Sequence, residues 1–293
     1  MFEGGTGPDY TDCVDSLWSR VETVARSALG NGALVSVPTE TVTMPDGGIP
    51  FVVHLTTLQD RKSHAGTGER CHSVNPFLPP DPDLVVKDLP PNHICVLNKY
   101  NVINNHLLIV TKRFEAQEAL LTIDDFRALS ACMLEGDGLA FYNGGTVAGA
   151  SQPHKHLQLV PLPLGSGPLP TPVDSIIDSD PGPITRVAAF PFAHVLIPLN
   201  GTLAEEDQAK QLFSTYRCAC AEVGIDGGSQ PYNMILTRRW MMVVSRTREF
   251  WRGISFNALG FAGSLLVRNR NELEQLKKTG PINALESVAG EIS

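Results

Sequence analysis

The segment GASQPHKHLQLVPLPL, residues 149–164, places two histidines one residue apart and a glutamine two residues after the second. Its alternation of polar and apolar residues predicts a β-strand, in which successive side chains point to opposite faces. His154, His156 and Gln158 would then share one face, and Lys155 would lie on the other. Three polar side chains on one face of an apolar strand require hydrogen-bond partners or a ligand, because burying an unpartnered polar group is costly.

A strand with the pattern His-x-His has three interpretations. The histidines can be structural, they can hold zinc or iron, or they can act on a phosphate group. A metal site needs a third ligand, yet the first acidic residue after His156 is Asp174 and the first glutamate is Glu205. Gln158 is a poor metal ligand, so we expect no metal ion to be held by these residues.

The residues before the histidines favour the phosphate interpretation. Gly144, Gly145 and Gly149 allow main-chain N–H groups to approach an anion closely. Ser151 and Gln152 add a hydroxyl and an amide as donors. A neutral imidazole can attack phosphorus and form a covalent phosphoramidate. A glycine-rich loop that leads directly into His-x-His-x-Gln therefore predicts a phosphate-handling active site.

Helices and strands are segregated along the rest of the chain. Apolar residues at helical spacing predict a helix that ends at Gly30-Asn31-Gly32, and capping boxes that begin at Thr122 and Thr202 predict two more. Runs rich in β-branched residues predict strands at 49–57, 93–114 (a hairpin-like pair), 139–145 and 232–249 (two strands). This order of elements indicates an α+β fold.

Composition and charge argue against several classes of protein. The net charge of −8 disfavours a nucleic-acid-binding scaffold, which is usually basic. No basic region followed by an apolar run opens the sequence, and its apolar stretches are too short to span a bilayer. We therefore expect a cytoplasmic protein with no membrane partner. The six cysteines include no Cys-x-x-Cys pair, and we expect reduced thiols.

The longer segment NGGTVAGASQPHKHLQLVPLP, residues 143–163, resembles the active-site segment of a known family. The family is that of the diadenosine tetraphosphate (Ap4A) phosphorylases, or ATP adenylyltransferases, in the histidine-triad (HIT) superfamily. This branch has glutamine at the third motif position, and Lys155 stands where the related hexose-1-phosphate uridylyltransferases have proline. Other blocks resemble the same family: NPFLPPDPDLVV (75–86), CVLNKYNVINNHLLIVTKRFE (95–115), YNMILTRRWMMVVSR (232–246) and NALGFAGSLLV (257–267).

The resemblance covers about residues 10–290 and implies a HIT-like α+β fold, a mainly antiparallel β-sheet flanked by helices. Residues 1–165 would form an N-terminal HIT-like region that carries the motif. Residues 186–293 would form a C-terminal ATP adenylyltransferase region that completes the same core. The proline-rich residues 166–185 would connect them, because a high density of proline excludes helix interiors and central strands.

The resemblance also implies roles for individual residues. His156 would be the nucleophile, His154 would position the loop, and Gln158 would contact the α-phosphate. Phosphate- or nucleotide-contacting positions of the family fall on a further set: Asn143, Gly149, Ser151, Gln152, Asn98, Lys99, Lys62, Phe77 and Leu78. Phe77 and Leu78 are more typical of a core than of base stacking. The five arginines between 238 and 252 are typical of a solvated face, with contact to polyphosphate as the alternative for Arg238 and Arg239 at a strand junction.

The activity implied is the reversible phosphorolysis of Ap4A to ATP and ADP, a nucleotidyltransferase reaction with Ap4A, ATP, ADP and phosphate as partners. His156 would take AMP from Ap4A and release ATP, and phosphate would then accept the AMP to give ADP. No carboxylate cluster lies near the motif, so a divalent cation, Mg²⁺, would arrive with the polyphosphate, and no tightly bound cofactor is expected. Two alternatives stay open: a dinucleoside polyphosphate hydrolase and a nucleotide-binding sensor without catalysis.

Overall fold

The computed structural model describes residues 16–56, 75–177, 182–199, 205–227 and 230–292. Its strands, numbered along the chain, are β1 Thr39–Asp46, β2 Ile49–Thr56, β3 Val85–Leu89, β4 His93–Leu97, β5 Leu107–Thr111, β6 Gly138–Gly144, β7 His156–Pro161, β8 His194–Pro198, β9 Tyr232–Leu236, β10 Trp240–Ser245, β11 Phe250–Trp251, β12 Ile254–Ser255 and β13 Ser264–Val267. Its α-helices are α1 Leu17–Asn31, α2 Ile123–Glu135, α3 Glu205–Glu222, α4 Ala258–Phe261, α5 Arg270–Thr279 and α6 Pro281–Glu286. Within these residues, no helix combines the length and the apolar composition needed to cross a membrane.

The largest layer is an eight-stranded sheet with the order β3-β4-β5-β7-β6-β9-β10-β8. Every neighbouring pair in this sheet is antiparallel. Its strands come from both sides of the proline-rich segment. A smaller sheet, β1-β2-β13, also joins the two sides, with β13 parallel to β2. The predicted α+β fold with a mainly antiparallel sheet is confirmed.

Apolar side chains are buried on both faces of the large sheet. On one face, α1, α2 and α3 pack over alternate residues of the central strands, among them Leu157 and Leu159 of β7. On the other face, the smaller sheet and the C-terminal helices cover Leu139, Phe141 and Val160. A shift of β7 by one residue would exchange its two faces, so this burial fixes its register. The face that carries Val160 is also the face of His156 and Gln158.

Local signals in the sequence predicted several element boundaries correctly. The helix α1 ends at Gly32, whose φ of 82° lies in the left-handed region that favours glycine. Thr122 and Asp125 form the predicted capping box at the start of α2. The strands β4 and β5 form the predicted hairpin pair. The capping box predicted at Thr202 lies outside the described residues.

The strand β7 begins later than the sequence pattern predicts. His154 takes part in an isolated bridge with Ala116, and regular pairing starts at His156. The preceding Pro153 has no N–H to contribute to a ladder, which disfavours an earlier start. Even so, His154 and His156 are both buried.

Candidate active site

His156 is the first residue of β7, and its side chain is buried. Its Nδ1 lies 2.8 Å from the main-chain oxygen of His154. A carbonyl oxygen accepts hydrogen bonds and cannot donate them, so Nδ1 carries the proton and Nε2 keeps a lone pair. Among the residues that the structure describes, Nε2 has no hydrogen-bond partner. His156 therefore presents an unprotonated nitrogen that can attack an electrophile.

Burial also keeps the imidazole of His156 neutral. Desolvation is the main reason that its pKa is lowered to about 4. The hydrogen bond to the His154 carbonyl opposes this shift, and the His154 imidazole adds to it. At pH 7 the lone pair on Nε2 is therefore not lost to protonation. The neutral imidazole is the form that acts as a nucleophile toward phosphorus.

His154 uses both of its ring nitrogens within the protein. Its Nε2 lies 2.9 Å from the main-chain oxygen of Thr111, so this nitrogen carries the proton. Its Nδ1 accepts a hydrogen bond from the Asn75 amide at 2.8 Å. His154 cannot attack a substrate without breaking these bonds. Its main-chain oxygen instead orients the imidazole of His156. The role of His154 in positioning the loop stays a prediction.

Gln158 is the end of a chain of three hydrogen-bonded side chains. His106 donates through Nε2 to Oε1 of Gln158 at 3.0 Å, and the Asn98 amide donates to Nδ1 of His106 at 3.2 Å. Burial is the main reason that the pKa of His106 is lowered to about 4, so the ring is neutral and each nitrogen keeps one role. Because Oε1 is held by His106, the amide nitrogen of Gln158 is the group left to donate to a ligand.

The loop between β6 and β7 has the backbone shape that its glycines permit. Gly145 and Gly149 have φ values of 89° and 93°, in the left-handed region. A Cβ at Gly149 would lie 2.6 Å from the main-chain oxygen of Phe256, which leaves no room for a side chain. Ser151 is exposed and Gln152 is half-buried. Both predicted donors therefore stand at the surface of the loop, where a phosphate group can reach them.

The buried side chain of Arg246 contacts this loop from the protein interior. Arg246 is 3% exposed, and its guanidinium donates to the main-chain oxygens of Ala148 at 3.2 Å and Phe256 at 3.0 Å. It also donates to the side-chain oxygen of Asn233 at 2.5 Å. Burial lowers its pKa to about 10, so it remains charged at neutral pH. The interpretation of the arginines as a solvated face is wrong for Arg246, which places a positive charge beneath the loop.

Two family models match this chain. Residues 10–179, more than half of the 293, match the Ap4A phosphorylase N-terminal domain. Residues 188–291 match the ATP adenylyltransferase C-terminal domain. The chain belongs to the Ap4A phosphorylase family.

Yeast proteins of the Ap4A phosphorylase family are similar to this chain over most of its length. Diadenosine 5',5'''-P1,P4-tetraphosphate phosphorylase 2 of Saccharomyces cerevisiae is 29% identical over 257 residues, which cover 73% of this chain and 75% of the yeast protein. The crystal structure of yeast Ap4A phosphorylase Apa2 in complex with AMP has a TM-score of 0.73 and 26% identity, and the match covers 94% of this chain and 96% of that chain. The structure of Apa2 in complex with Ap4A has a TM-score of 0.73 and 22% identity, with 94% and 98% covered.

One of the two neighbouring residues Phe77 and Leu78, both implied to contact the nucleotide, packs against the motif. Phe77 is buried, and its ring centroid lies 5.5 Å from those of His154 and His156. Phe77 thus supports the two imidazoles as a core residue, and its contact with a nucleotide stays a prediction. Leu78 beside it is half-buried. Its side chain remains a candidate for nucleotide contact.

Two implied nucleotide-contacting asparagines already hold groups of the protein. Asn143 is buried, and its Oδ1 accepts hydrogen bonds from the Asn233 amide at 2.8 Å and the Ala258 N–H at 3.0 Å. The amide of Asn98 donates to His106. These bonds give both residues a scaffolding function at the site, whatever further contact a nucleotide makes with them.

Of the two implied lysines, Lys99 lies in the described part of the chain, and no described contact links it to the motif. Lys99 is exposed, and its Nζ lies 3.8 Å from a carboxylate oxygen of Asp81. Lys62 lies outside the described residues. His54 has both ring nitrogens buried without a hydrogen-bond partner among the described residues, and burial lowers its pKa.

Sequence reasoning missed an ion-pair network on the reverse face of the motif. Lys155 is fully buried, with Nζ 2.6 Å from Asp125 and 3.2 Å from Glu115. His93 lies 2.8 Å from the other oxygen of Asp125. Burial alone would raise the pKa of Asp125, but His93 and Lys155 together lower it. The signal was present in the sequence, because strand alternation turns Lys155 toward the apolar face and a buried lysine requires a carboxylate partner.

Proposed function

We propose that this protein catalyses the reversible phosphorolysis of Ap4A to ATP and ADP through an AMP group bonded to Nε2 of His156. The observation that carries the proposal is the state of His156: a neutral ring, an Nδ1–H donated to the His154 carbonyl, and an Nε2 without a partner among the described residues. Membership of the Ap4A phosphorylase family supports the choice of substrate.

In the first step, Nε2 of His156 attacks the α-phosphorus of Ap4A. The new N–P bond forms as the bond from phosphorus to the bridging oxygen breaks, so ATP leaves and AMP stays on the imidazole. Donors around the phosphoryl oxygens stabilise the charge of the transition state, and we assign this task to the Gln158 amide, Ser151 and Gln152. The carbonyl of His154 stabilises the positive charge that the ring gains, through the bond to Nδ1.

In the second step, an oxygen of inorganic phosphate attacks the phosphorus of the adduct. The N–P bond breaks, the lone pair returns to Nε2 of His156, and ADP leaves. Gln158 favours phosphate over water as the acceptor, because an amide cannot take a proton from water and phosphate brings its own anionic oxygen. The N–P bond keeps its reactivity, so the reverse reaction of ATP with ADP uses the same intermediate, with ATP bound in the same site.

We also propose that Mg²⁺ reaches the site bound to the polyphosphate. In the described part of the chain, no group of three or more His, Cys, Asp or Glu side chains is placed to hold a metal ion. Polyphosphate oxygens are hard ligands that Mg²⁺ prefers. After EDTA treatment, Mg²⁺ alone should therefore restore full activity. A tightly bound transition metal that is lost together with His154 or His156 would contradict this proposal.

Products formed from Ap4A with radiolabelled phosphate test the reaction class. Phosphorolysis places the label in the β-phosphate of ADP, with an equal amount of unlabelled ATP. A hydrolase would release AMP and ATP without incorporating label. A nucleotide-binding sensor would bind Ap4A and release neither product, which would contradict the proposal.

A further inference from the structure

The side chain of Gln117 fills a gap in the hydrogen-bond ladder between β6 and β7. The ladder ends with Phe141 opposite Gln158, and the same register continued by two residues would place Asn143 opposite His156. These two residues bond to the Gln117 amide instead of to each other. Its Oε1 accepts the His156 N–H at 2.8 Å, and its Nε2 donates to the main-chain oxygens of Asn143 at 2.8 Å and His156 at 3.2 Å.

Gln117 is fully buried and is itself fixed through its main chain. Its N–H donates to the oxygen of Pro153 at 2.9 Å, and its oxygen accepts the hydroxyl of Tyr142 at 2.5 Å. Tyr142 lies in β6, the strand before the glycine-rich loop, and Pro153 lies at the end of that loop, shortly before β7 begins. Gln117 therefore binds the chain on both sides of this loop.

We propose that Gln117 is a positioning residue for the nucleophile. The His156 imidazole is oriented at Nδ1 by the His154 carbonyl, and Gln117 holds the N–H and the carbonyl of the main chain that carries it. Without the Gln117 amide, these buried groups and the Asn143 carbonyl would lose their partner, and β7 would shift toward β6 to pair with it. A displacement of Nε2 by about 1 Å from its line of attack costs about 10²-fold in rate.

The experiment compares Gln117→Met with a matched control elsewhere in the sheet. Methionine keeps a similar length and shape but lacks the amide. His194→Leu is the control, because His194 is buried and bonds through its two ring nitrogens to Val187 and Phe192 at β8, three strands from β6. We expect kcat for ATP release from Ap4A to fall about 100-fold in Gln117→Met. The control should keep kcat within about threefold despite losing buried hydrogen bonds.

Binding is measured separately from chemistry. The Kd for Ap4A is determined in the His156→Ala background with and without Gln117→Met, and we expect it to change by less than about threefold. Gln117→Glu is a second variant in case Gln117→Met does not fold, because glutamate keeps the acceptor for the His156 N–H and loses donor capacity. It should lower kcat by about tenfold, again with Kd unchanged.

Two results would overturn the inference about Gln117. If Kd rises in parallel with the fall in kcat, Gln117 shapes the binding site and does not act through the nucleophile. If kcat stays within about threefold of wild type in the folded variants, the amide has no positioning role. The inference rests on the proposed role of His156, and the two can fail separately. If His156→Ala is active, both the role of His156 and the inference about Gln117 are wrong. If His156→Ala is inactive and Gln117→Met is fully active, only the inference about Gln117 is wrong.

Discussion

Replacing His106 tests whether Gln158 works as an oriented donor. In His106→Leu, the Gln158 Oε1 loses the donor that lies 3.0 Å away, and the Asn98 amide loses its acceptor at 3.2 Å. The Gln158 amide can then rotate by about half a turn and present its oxygen to the phosphate in place of its N–H groups. The main effect should fall on the transition state, because the donors act there on developing charge.

The size of the effect follows from the bond that fixes the amide. A hydrogen bond contributes a net 0.5–1.5 kcal/mol or so, and a buried group left unpartnered costs about 1–3 kcal/mol. A loss of about 1.4 kcal/mol in the bias toward the productive orientation lowers kcat/KM about tenfold. Complete loss of a donor to a charged transition state lowers the rate about 10²–10³-fold. This is the result expected for Gln158→Ala, and it is the upper limit for the effect of His106→Leu.

A double-mutant cycle separates this mechanism from a general structural effect. kcat/KM for phosphorolysis is measured in wild type, His106→Leu, Gln158→Ala and the double variant. Loss of His106 should cost about tenfold in the wild-type background and less than about twofold where Gln158 is already absent. His106→Gln, whose amide nitrogen can donate to Oε1, should recover most of the activity. Equal losses in both backgrounds would refute the reasoning, because His106 would then act independently of Gln158.

Other changes separate the chemistry from the stability of the site. His156→Ala should lower turnover by about 10⁴-fold or more while Ap4A binding survives, and steady-state rates with equilibrium dialysis measure both. Gln158→His should shift the product from ADP toward AMP at fixed phosphate, because histidine can take a proton from water. An unchanged AMP-to-ADP ratio and an unchanged rate would mean that Gln158 does not contact the reacting phosphate. Lys155→Met should lower the free energy of unfolding in urea by about 3–5 kcal/mol, since it leaves the buried carboxylate of Asp125 without its cation. kcat/KM should hold to about pH 5 and fall as the pH approaches 4, because protonation of His156 removes the lone pair on Nε2; an acid limb near pH 6.5 would contradict the buried neutral ring.

The features that the sequence predicted correctly depend on residues close together in the chain. The capping box joins Thr122 to Asp125 across one helical turn, and the hairpin joins β4 to β5 across a short connection. The alternation of β7 is also local, since it follows from the strand itself and from burial of its two faces. These features could be predicted because each requires a particular residue type at a fixed short spacing.

The residues that hold the site in place were missed because their partners are distant in sequence. His106 and Gln158 are 52 positions apart, and Gln117 and His156 are 39 apart. Nothing in the sequence around Gln117 distinguishes it from an exposed glutamine. A partial signal existed for His106, because pairing β5 with β7 places Leu108 opposite Gln158, and His106 lies two residues away on the same face. Using that signal required the register of two strands, which local patterns did not supply.

Lys155, between the two histidines, shows how contacts on the opposite face of β7 restrict which residue this position of the motif can hold. Lys155 donates its main-chain N–H to the Glu115 oxygen at 2.8 Å, and its Nζ neutralises Asp125, which also caps α2. A proline there would remove both the N–H and the lysine cation, and the buried carboxylate of Asp125 would keep His93 as a hydrogen-bond partner but lose its ion pair with Lys155. Lysine at this position is therefore required by the helix behind the sheet and not by the phosphate chemistry in front of it. Replacing it with proline in this protein would need a matching change at Asp125.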